Sequence, residues 1–376
     1  MNDNNKDKID NDKNKMRNSE KYIKENKRVR ICDIADELGL STATVSNVIH
    51  GKTKKISDET IKRVQQLLEE REYIPSMAGI LLARNDSRII GVVIHNHEKY
   101  EGHVLEDPFI SSALNHLSVE IEKSGHFMMI KTTTEYREII TFSSMWNMTG
   151  MVLIGFCEQD YQKLRESMRI PFVIYDGFME NTRKKVITDS QKEPARICNI
   201  VIDNYDGGYQ AGTFLTNLGH QNLLCISDNQ ICMDLERYEG FEAGVRENGA
   251  NADFMLIPMQ YEKRHLLYQT MLDKIKEYTA IFAVSDYYAI DIMQFLMENS
   301  IKVPQDISIV GFDDTPLCRQ IVPSLTSIRQ NCELRAIKAL SILQKLKQHK
   351  ETEKSIILPV ELIERESTAK CTKQAD

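Results

Sequence analysis

The 376-residue chain has no apolar run approaching the length of a membrane span. Its longest runs, such as Ile89–Ile94 and Met151–Ile154, fall far short of the roughly 18–20 residues a helix needs to cross a bilayer. The N-terminus, Met1-Asn2-Asp3-Asn4-Asn5-Lys6, lacks the apolar stretch of a secretory signal, so the expectation is a cytoplasmic protein with no membrane contact. The 8 cysteines (Cys32, Cys157, Cys198, Cys225, Cys232, Cys318, Cys332 and Cys371) include no Cys-x-x-Cys pair and no zinc-knuckle spacing. Scattered in this way, they read as reduced thiols rather than disulfides or metal ligands. His95, His97 and His103 share one loop, but no further ligand at fixed spacing joins them, so they read as solvated loop residues. There is no Gly-x-Ser-x-Gly elbow, Walker loop, His-Glu-x-x-His or dinucleotide Gly-x-Gly-x-x-Gly, and nothing in the sequence requires an enzyme or a cofactor.

What is present is ample apolar material: 41% of residues are hydrophobic, which excludes a wholly disordered chain. The net charge of -7 argues weakly against a nucleic-acid binder, but the average hides a split. Residues 1–84 hold 17 basic and 14 acidic side chains, a net of +3, whereas residues 85–376 hold 31 and 41, a net of -10. Residues 1–28 are almost all polar and cannot bury a core, so they read as a disordered tail.

From Arg88 onward, β-rich runs alternate with amphipathic stretches. Strands are expected at Ile89–Ile94, Phe127–Lys131, Gly150–Ile154, Phe172–Tyr175, Asn199–Ile202, Leu223–Ser227, Phe254–Pro258, Ala280–Val284 and Ile307–Val310. Helices fit between most of them, among them Ser111–Ser124, Gly207–Leu218, Arg237–Glu247 and Tyr287–Asn299. Such alternation implies βαβ units and mostly parallel sheets. Nine strands are many for one sheet, and a polar linker, Asn181–Ala195, lies near the middle. The expectation is two α/β lobes with a ligand cleft at the carboxyl ends of their strands.

Residues 29–75 read differently. Ile31, Ile34, Ala35 and Leu38 form one helical face, followed by Gly39 at a helix end. Ser41 is an N-cap for a second helix, which buries Val45, Val48 and Ile49 and leaves Thr42, Ala43, Ser46 and Asn47 off that stripe. Ser57 caps a third helix with Ile61, Val64, Leu67 and Leu68 inside. Two short helices around a tight Gly-containing turn make a helix-turn-helix, whose second helix enters the major groove, although other small helical pairs share this spacing.

The string Ile34-Ala35-Asp36-Glu37-Leu38-Gly39-Leu40-Ser41-Thr42-Ala43-Thr44-Val45-Ser46-Asn47-Val48-Ile49-His50-Gly51 resembles the N-terminal signature of the LacI/GalR family of bacterial transcriptional regulators. The resemblance continues through Tyr73-Ile74-Pro75-Ser76, Ile90-Gly91-Val92-Val93-Ile94, Leu218-Gly219-His220, Arg237-Tyr238-Glu239-Gly240-Phe241 and Gly311-Phe312-Asp313-Asp314, in the family's order. It implies an α/β protein with an N-terminal all-α helix-turn-helix DNA-binding domain (29–75), a hinge helix and linker (76–87), and a two-lobed periplasmic-binding-protein-like core for effector binding and dimerisation (88–370). It also implies that Thr42, Ala43 and Asn47 read bases, while Ser41, Thr44 and Ser46 contact phosphates or cap. Family members often carry Arg where this chain has Asn47. Arg favours guanine and Asn matches adenine, which leaves the half-site open. In the hinge, the residue matching the family's minor-groove wedge is Leu82.

In the core, the resemblance places Asp176, Arg237 and Asp313 at a cleft that closes on an effector, with Phe109 and Ser285 as further contacts. Carboxylates accept paired hydroxyl bonds and Arg donates a fixed fork, which suits a polyhydroxylated ligand. Cys332, in Gln330-Asn331-Cys332, stands where sugar-binding relatives often carry a stacking aromatic; Phe109, Tyr175, Tyr261 or Tyr287 could supply that platform instead. The implied partners are thus a pseudo-palindromic double-stranded operator, a small-molecule effector led by a sugar, and a second copy of the chain. The expected location is the cytoplasm, at the nucleoid. A nucleobase effector and a protein co-effector are the alternatives.

Overall fold

A computed structural model describes residues 29–75, 87–156, 164, 166–175, 177, 197–353 and 355–372. The tail, most of the hinge segment including Leu82, the linker Asn181–Ala195 and Asp176 lie outside the described residues. Two compact units divide the chain between Ser87 and Arg88.

The first unit is a three-helix cluster of α1 (Ile31–Leu38), α2 (Thr42–Ile49) and α3 (Asp58–Glu70). Gly39 ends α1 at φ 66°, the left-handed conformation that costs glycine nothing. The Ser41 hydroxyl accepts the Thr44 amide and starts α2 one residue later, so the turn between the two helices is fixed by a stop and a start only two positions apart. Ser57 caps α3 in the same way through Thr60. Ile34, Ala35, Val45, Val48, Val64 and Leu67 form the buried centre.

The second unit holds two six-stranded sheets. The first is built from β1 (Ile89–His95), β2 (Phe127–Thr133), β3 (Gly150–Ile154), β4 (Phe172–Tyr175), β5 (Ile197–Ile202) and, from much later in the chain, β11 (Ser355–Leu358). Its order is β11-β5-β4-β3-β1-β2 and every pairing is parallel. The second comprises β6 (Asn222–Ser227), β7 (Asn251–Leu256), β8 (Ala280–Ala283), β9 (Ser308–Asp313), β10 (Thr326–Gln330) and β12 (Val360–Ile363), ordered β12-β10-β9-β8-β6-β7. Only β12 is antiparallel to its neighbour. The central strands are buried on both faces, which is why they read as continuous apolar runs rather than alternating ones. The sheets are joined by helices α4 (Pro108–Lys123), α5 (Tyr136–Met145), α6 (Asn204–Asn217), α7 (Cys232–Glu247), α8 (Tyr261–Thr270), α9 (Leu272–Ile275), α10 (Asp286–Glu298) and α11 (Cys332–Lys347), with short 3-10 turns at Glu98–Tyr100, Val104–Glu106 and Pro316–Arg319.

The chain passes between the sheets three times: after β5, after β10 and between β11 and β12. The polar linker does not divide the lobes, because β5 follows it and still joins the first sheet. No helix among the described residues is long and apolar enough to cross a membrane.

A candidate DNA-reading helix and ligand cleft

On α2 the burial pattern separates two sets of residues. Val45 and Val48 face the three-helix core, while Thr42, Ala43 and Asn47 are exposed. Ser41 and Thr44 serve each other: beyond the cap, their hydroxyls lie 2.8 Å apart. Ser46 is half-buried. One face is therefore committed to packing and the opposite face is free to meet a groove, with Ser41 and Thr44 spending their local bonding capacity on the helix start.

In the second unit Arg237 is 6% exposed. The expected helix started at Arg237; α7 begins five residues earlier, at Cys232, so Arg237 lies inside the helix and not at its opening. Its Nε donates to Asn204 Oδ1 at 2.9 Å, and its Nη1 donates to the Val284 carbonyl at 2.6 Å. The guanidinium stacks on Phe312, 3.8 Å from the ring centroid.

This placement depends on a helix crossing closer than side chains normally allow. A Cβ at Gly208 would meet the Arg237 carbonyl oxygen at 1.9 Å, and one at Gly240 would meet the Tyr205 carbonyl oxygen at 1.9 Å. Gly212 and Gly244 repeat the contact one turn further on, each under 3.0 Å from opposing backbone. Two Gly-x-x-x-Gly stripes thus bring α6 and α7 together backbone to backbone. The spacing stands openly in the sequence at Gly208/Gly212 and Gly240/Gly244, and it was the missed signal.

Asp313 ends β9 and, with Asp314, has positive φ, 119° and 52°. A strained pair of this kind costs on the order of 1–3 kcal/mol and persists where neighbours hold it. Here Gln330 Nε2 donates to Asp313 Oδ1 at 2.6 Å, and Asp314 accepts Arg329 Nε at 2.7 Å and a further bond from Arg365. Burial pushes the Asp313 carboxyl well above the ordinary range, with Asp286 and Asp107 adding to the rise and Arg237 opposing it.

Ser285 is the N-cap of α10, accepting the Tyr288 amide. Asp286, next to it, accepts from the Thr315 amide at 2.7 Å, Cys318 Sγ at 3.0 Å and Ser327 Oγ at 2.6 Å, which makes it a brace for the loop after β9. Phe109, in the first turn of α4, is half-buried against the core. Tyr175 is fully buried beneath Arg335, 4.4 Å from guanidinium to ring centroid. Tyr261 and Tyr287 gather instead around the buried Arg264, which also faces Tyr288.

Several cleft groups escaped sequence reading. The segment between β1 and α4 carries Lys99, which lies in the field of Asp228, Asp234 and Tyr288 from the second sheet's side. Burial opposes its charge, yet Tyr100 and those groups hold the ammonium well above the ordinary lysine range. Asp228 accepts Tyr288 Oη at 2.8 Å and Asn229 Nδ2 at 2.7 Å. Burial raises the Asp234 carboxyl, and Asp228 raises it further. Of the three histidines expected in one loop, His95 is instead the last residue of β1, half-buried and packed edge-on to Phe156 at 5.1 Å, while His97 caps a short turn by accepting the Lys99 amide and His103 pairs with Glu106 at 3.0 Å. These groups can exchange paired hydrogen bonds with a hydroxylated molecule: the Lys99 ammonium and the Arg237 guanidinium as donors, and the carboxyl groups of Asp228, Asp234 and Asp313, all from the second lobe, as partners.

Residues 30–76 match the family described as bacterial regulatory proteins, lacI family, and residues 213–368 match the periplasmic binding protein-like domain. The chain is 29% identical over 357 residues to the HTH-type transcriptional regulator DegA of Bacillus subtilis, covering 91% of this chain and 98% of that one. It is 27% identical over 350 residues to the HTH-type transcriptional regulator MalR of Clostridium butyricum, covering 90% and 99%. The lac repressor dimer bound to operator and the anti-inducer ONPF superposes with a TM-score of 0.74 at 22% identity, covering 91% of this chain and all of that chain.

The chain belongs to the LacI family of bacterial transcriptional regulators. As a LacI-family protein it is a regulator of transcription with an effector-binding domain, and not an enzyme. The CelR–cellobiose complex shares the fold, with a TM-score of 0.63 at 21% identity over 90% of this chain.

Proposed function

We propose that this regulator is a repressor that binds a pseudo-palindromic operator as a homodimer and responds to a sugar in the cleft of its second unit. The observation that carries the DNA half is the division of α2, with Thr42, Ala43 and Asn47 exposed opposite a buried Val45–Val48 face. In this reading those three side chains read base edges, Ser41, Thr44 and Ser46 steady the helix start or meet phosphates, and Leu82 of the hinge wedges the operator centre. Residues 1–28 are a tail, 29–75 the reading domain, 76–87 the hinge, and 88–370 the sensor.

For the effector half, Arg237, Asp313, Asp176, Phe109 and Ser285 are the proposed contacts. Arg237 and Asp313 are supported by the charge interaction between them, and the sugar by the cellobiose held in the CelR neighbour. Ser285 contributes through its place at the start of α10. A repressor is supported by relatives bearing that name, such as the HTH-type transcriptional repressor PurR of Vibrio atlanticus, 27% identical over 355 residues. The homodimer is supported by edge strands that leave large apolar side chains uncovered: Phe127 and Ile130 on β2, and Leu256 on β7. Such a protein works in the cytoplasm, at the nucleoid.

A gel shift on the DNA upstream of its own gene, with cellobiose and ribose titrated into the complex, tests the reading. The expected result is a retarded band that one of the sugars releases. Residues 30–84 hold 8 basic and 8 acidic side chains, so the salt dependence of the shift should be shallow. Absence of any retarded band at low salt would overturn the regulator reading of α2, and a band that no sugar moves would overturn the sugar.

A further inference from the structure

The carboxylate proposed to meet the ligand is wired to the opposite lobe through buried side chains. Gln330, the last residue of β10, is 5% exposed and stands where the chain leaves the second sheet for α11. Its Nε2 donates to Asp313 at 2.6 Å, and its Oε1 accepts Arg335 Nη1 at 2.8 Å. Arg335, in the first turns of α11 and fully buried, donates through Nη2 to the Ile200 carbonyl at 3.0 Å and through Nε to the same oxygen at 3.3 Å. Ile200 lies in β5, in the first sheet, two residues before the chain's first passage between the lobes.

The chemistry of this line gives it a direction. A guanidinium has donors and no acceptor, so the amide of Gln330 must turn its oxygen toward Arg335. Its NH2 is then forced toward Asp313. The reverse orientation would set NH2 against guanidinium and carbonyl oxygen against carboxylate, unfavourable at both ends. Arg335 therefore dictates what Asp313 meets at Oδ1. Any movement of the Asp313 carboxylate is passed to a side chain anchored on the first sheet.

We propose that Arg335 is a positioning residue of the effector response: through Gln330 it fixes the Asp313 carboxylate, and it carries displacement of that carboxylate to β5 at the crossing between the lobes. This rests on reading the Asp313 cleft as the ligand site.

The test is hydrogen–deuterium exchange on the full chain, without DNA or effector. Wild type, Asp313→Ala, Gln330→Leu, Arg335→Lys and the Asp313→Ala/Arg335→Lys double variant would be compared. Circular dichroism melts exclude variants that fail to fold, and Arg335→Lys keeps the charge while losing the fork. Each single substitution is expected to speed exchange of the 197–203 amides by about fivefold, with residues 223–227 of β6 unchanged. The double variant should be no faster than either single one, because both cut the same line. Effects that multiply in the double variant, or an Asp313→Ala protein whose 197–203 amides exchange at the wild-type rate, would overturn the relay. So would equal acceleration in β6, which marks general loosening. Because no effector is needed, failure here leaves the ligand reading standing, and failure of the sugar titration leaves the relay standing.

Discussion

The guanidinium of Arg237 lies over the face of Phe312, 3.8 Å from its centroid, and from that position donates to Val284 and Asn204. Two of its donors are thus consumed by the protein, and they join α7 to the end of β8 and the start of α6. Arg237→Ala would leave a buried carbonyl and a buried amide oxygen unpaired, at a cost of about 2–4 kcal/mol. Urea unfolding of ligand-free protein should show that loss. Arg237→Lys keeps the charge but not the fork and should fall between. An alanine variant as stable as wild type would mean that these bonds are not structural.

The same residue depends on Gly208, since the Arg237 carbonyl oxygen occupies the space that a Cβ at Gly208 would need. Backbone cannot swing aside as a flexible side chain can. Gly208→Ala and Gly240→Ala should therefore each destabilise the second unit by about 3 kcal/mol or more, or yield insoluble protein. Gly249→Ala has room, with nothing within 4 Å, but its φ of 74° makes it a strain control costing roughly 1 kcal/mol. The expected order in thermal melts is Gly249→Ala well above both crossing variants.

These glycines also show where the sequence was legible. The strand cores Gly150–Ile154 and Phe172–Tyr175 stand where apolar runs placed them, because a strand buried on both faces writes its boundaries in hydrophobicity. The caps Ser41 and Ser57 and the stop at Gly39 were readable because they are local chemistry. By contrast, β10, β11 and β12 are short and mix polar with apolar residues, and two of them pair with strands more than a hundred residues away or run antiparallel. No local pattern encodes such pairing. Lys99 and Arg335 escaped for a related reason: each looks like an ordinary charged residue until the fold sets it, half-buried or fully buried, among partners from another lobe.

On α2, stability and recognition should separate cleanly. Ser41 caps the helix, and Ser41→Ala should cost about 1 kcal/mol of local stability, seen as faster amide exchange across Thr42–Ile49. Asn47 is exposed and has no packing role in the three-helix core. Asn47→Ala should leave that exchange unchanged while weakening operator binding by roughly 1–3 kcal/mol, which tests the proposed base contact. Unchanged operator affinity in Asn47→Ala would remove it from the reading set.

His220 ties the turn after α6 to the C-terminal segment and should confer a pH dependence of known sign. It is 3% exposed; Nε2 lies 3.1 Å from the Ala369 carbonyl and must donate to it, which leaves Nδ1 to accept from Thr279 Oγ1 at 2.9 Å. Burial lowers its pKa below the ordinary 6.5, against a smaller upward pull from the Ala369 carbonyl. The folded protein therefore binds fewer protons at His220 than the unfolded chain does as pH falls below about 6.5. Stability linked to this group is fully present above that value and is lost as pH falls toward the depressed folded pKa. His220→Gln can keep both bonds, with NH2 on Ala369 and its carbonyl oxygen on Thr279, but it cannot titrate. Urea midpoints between pH 7.5 and 5 should fall less steeply in His220→Gln than in wild type. His97, whose pKa burial also lowers, contributes equally to both proteins and cancels in the comparison. Parallel slopes would show that His220 does not titrate in this range.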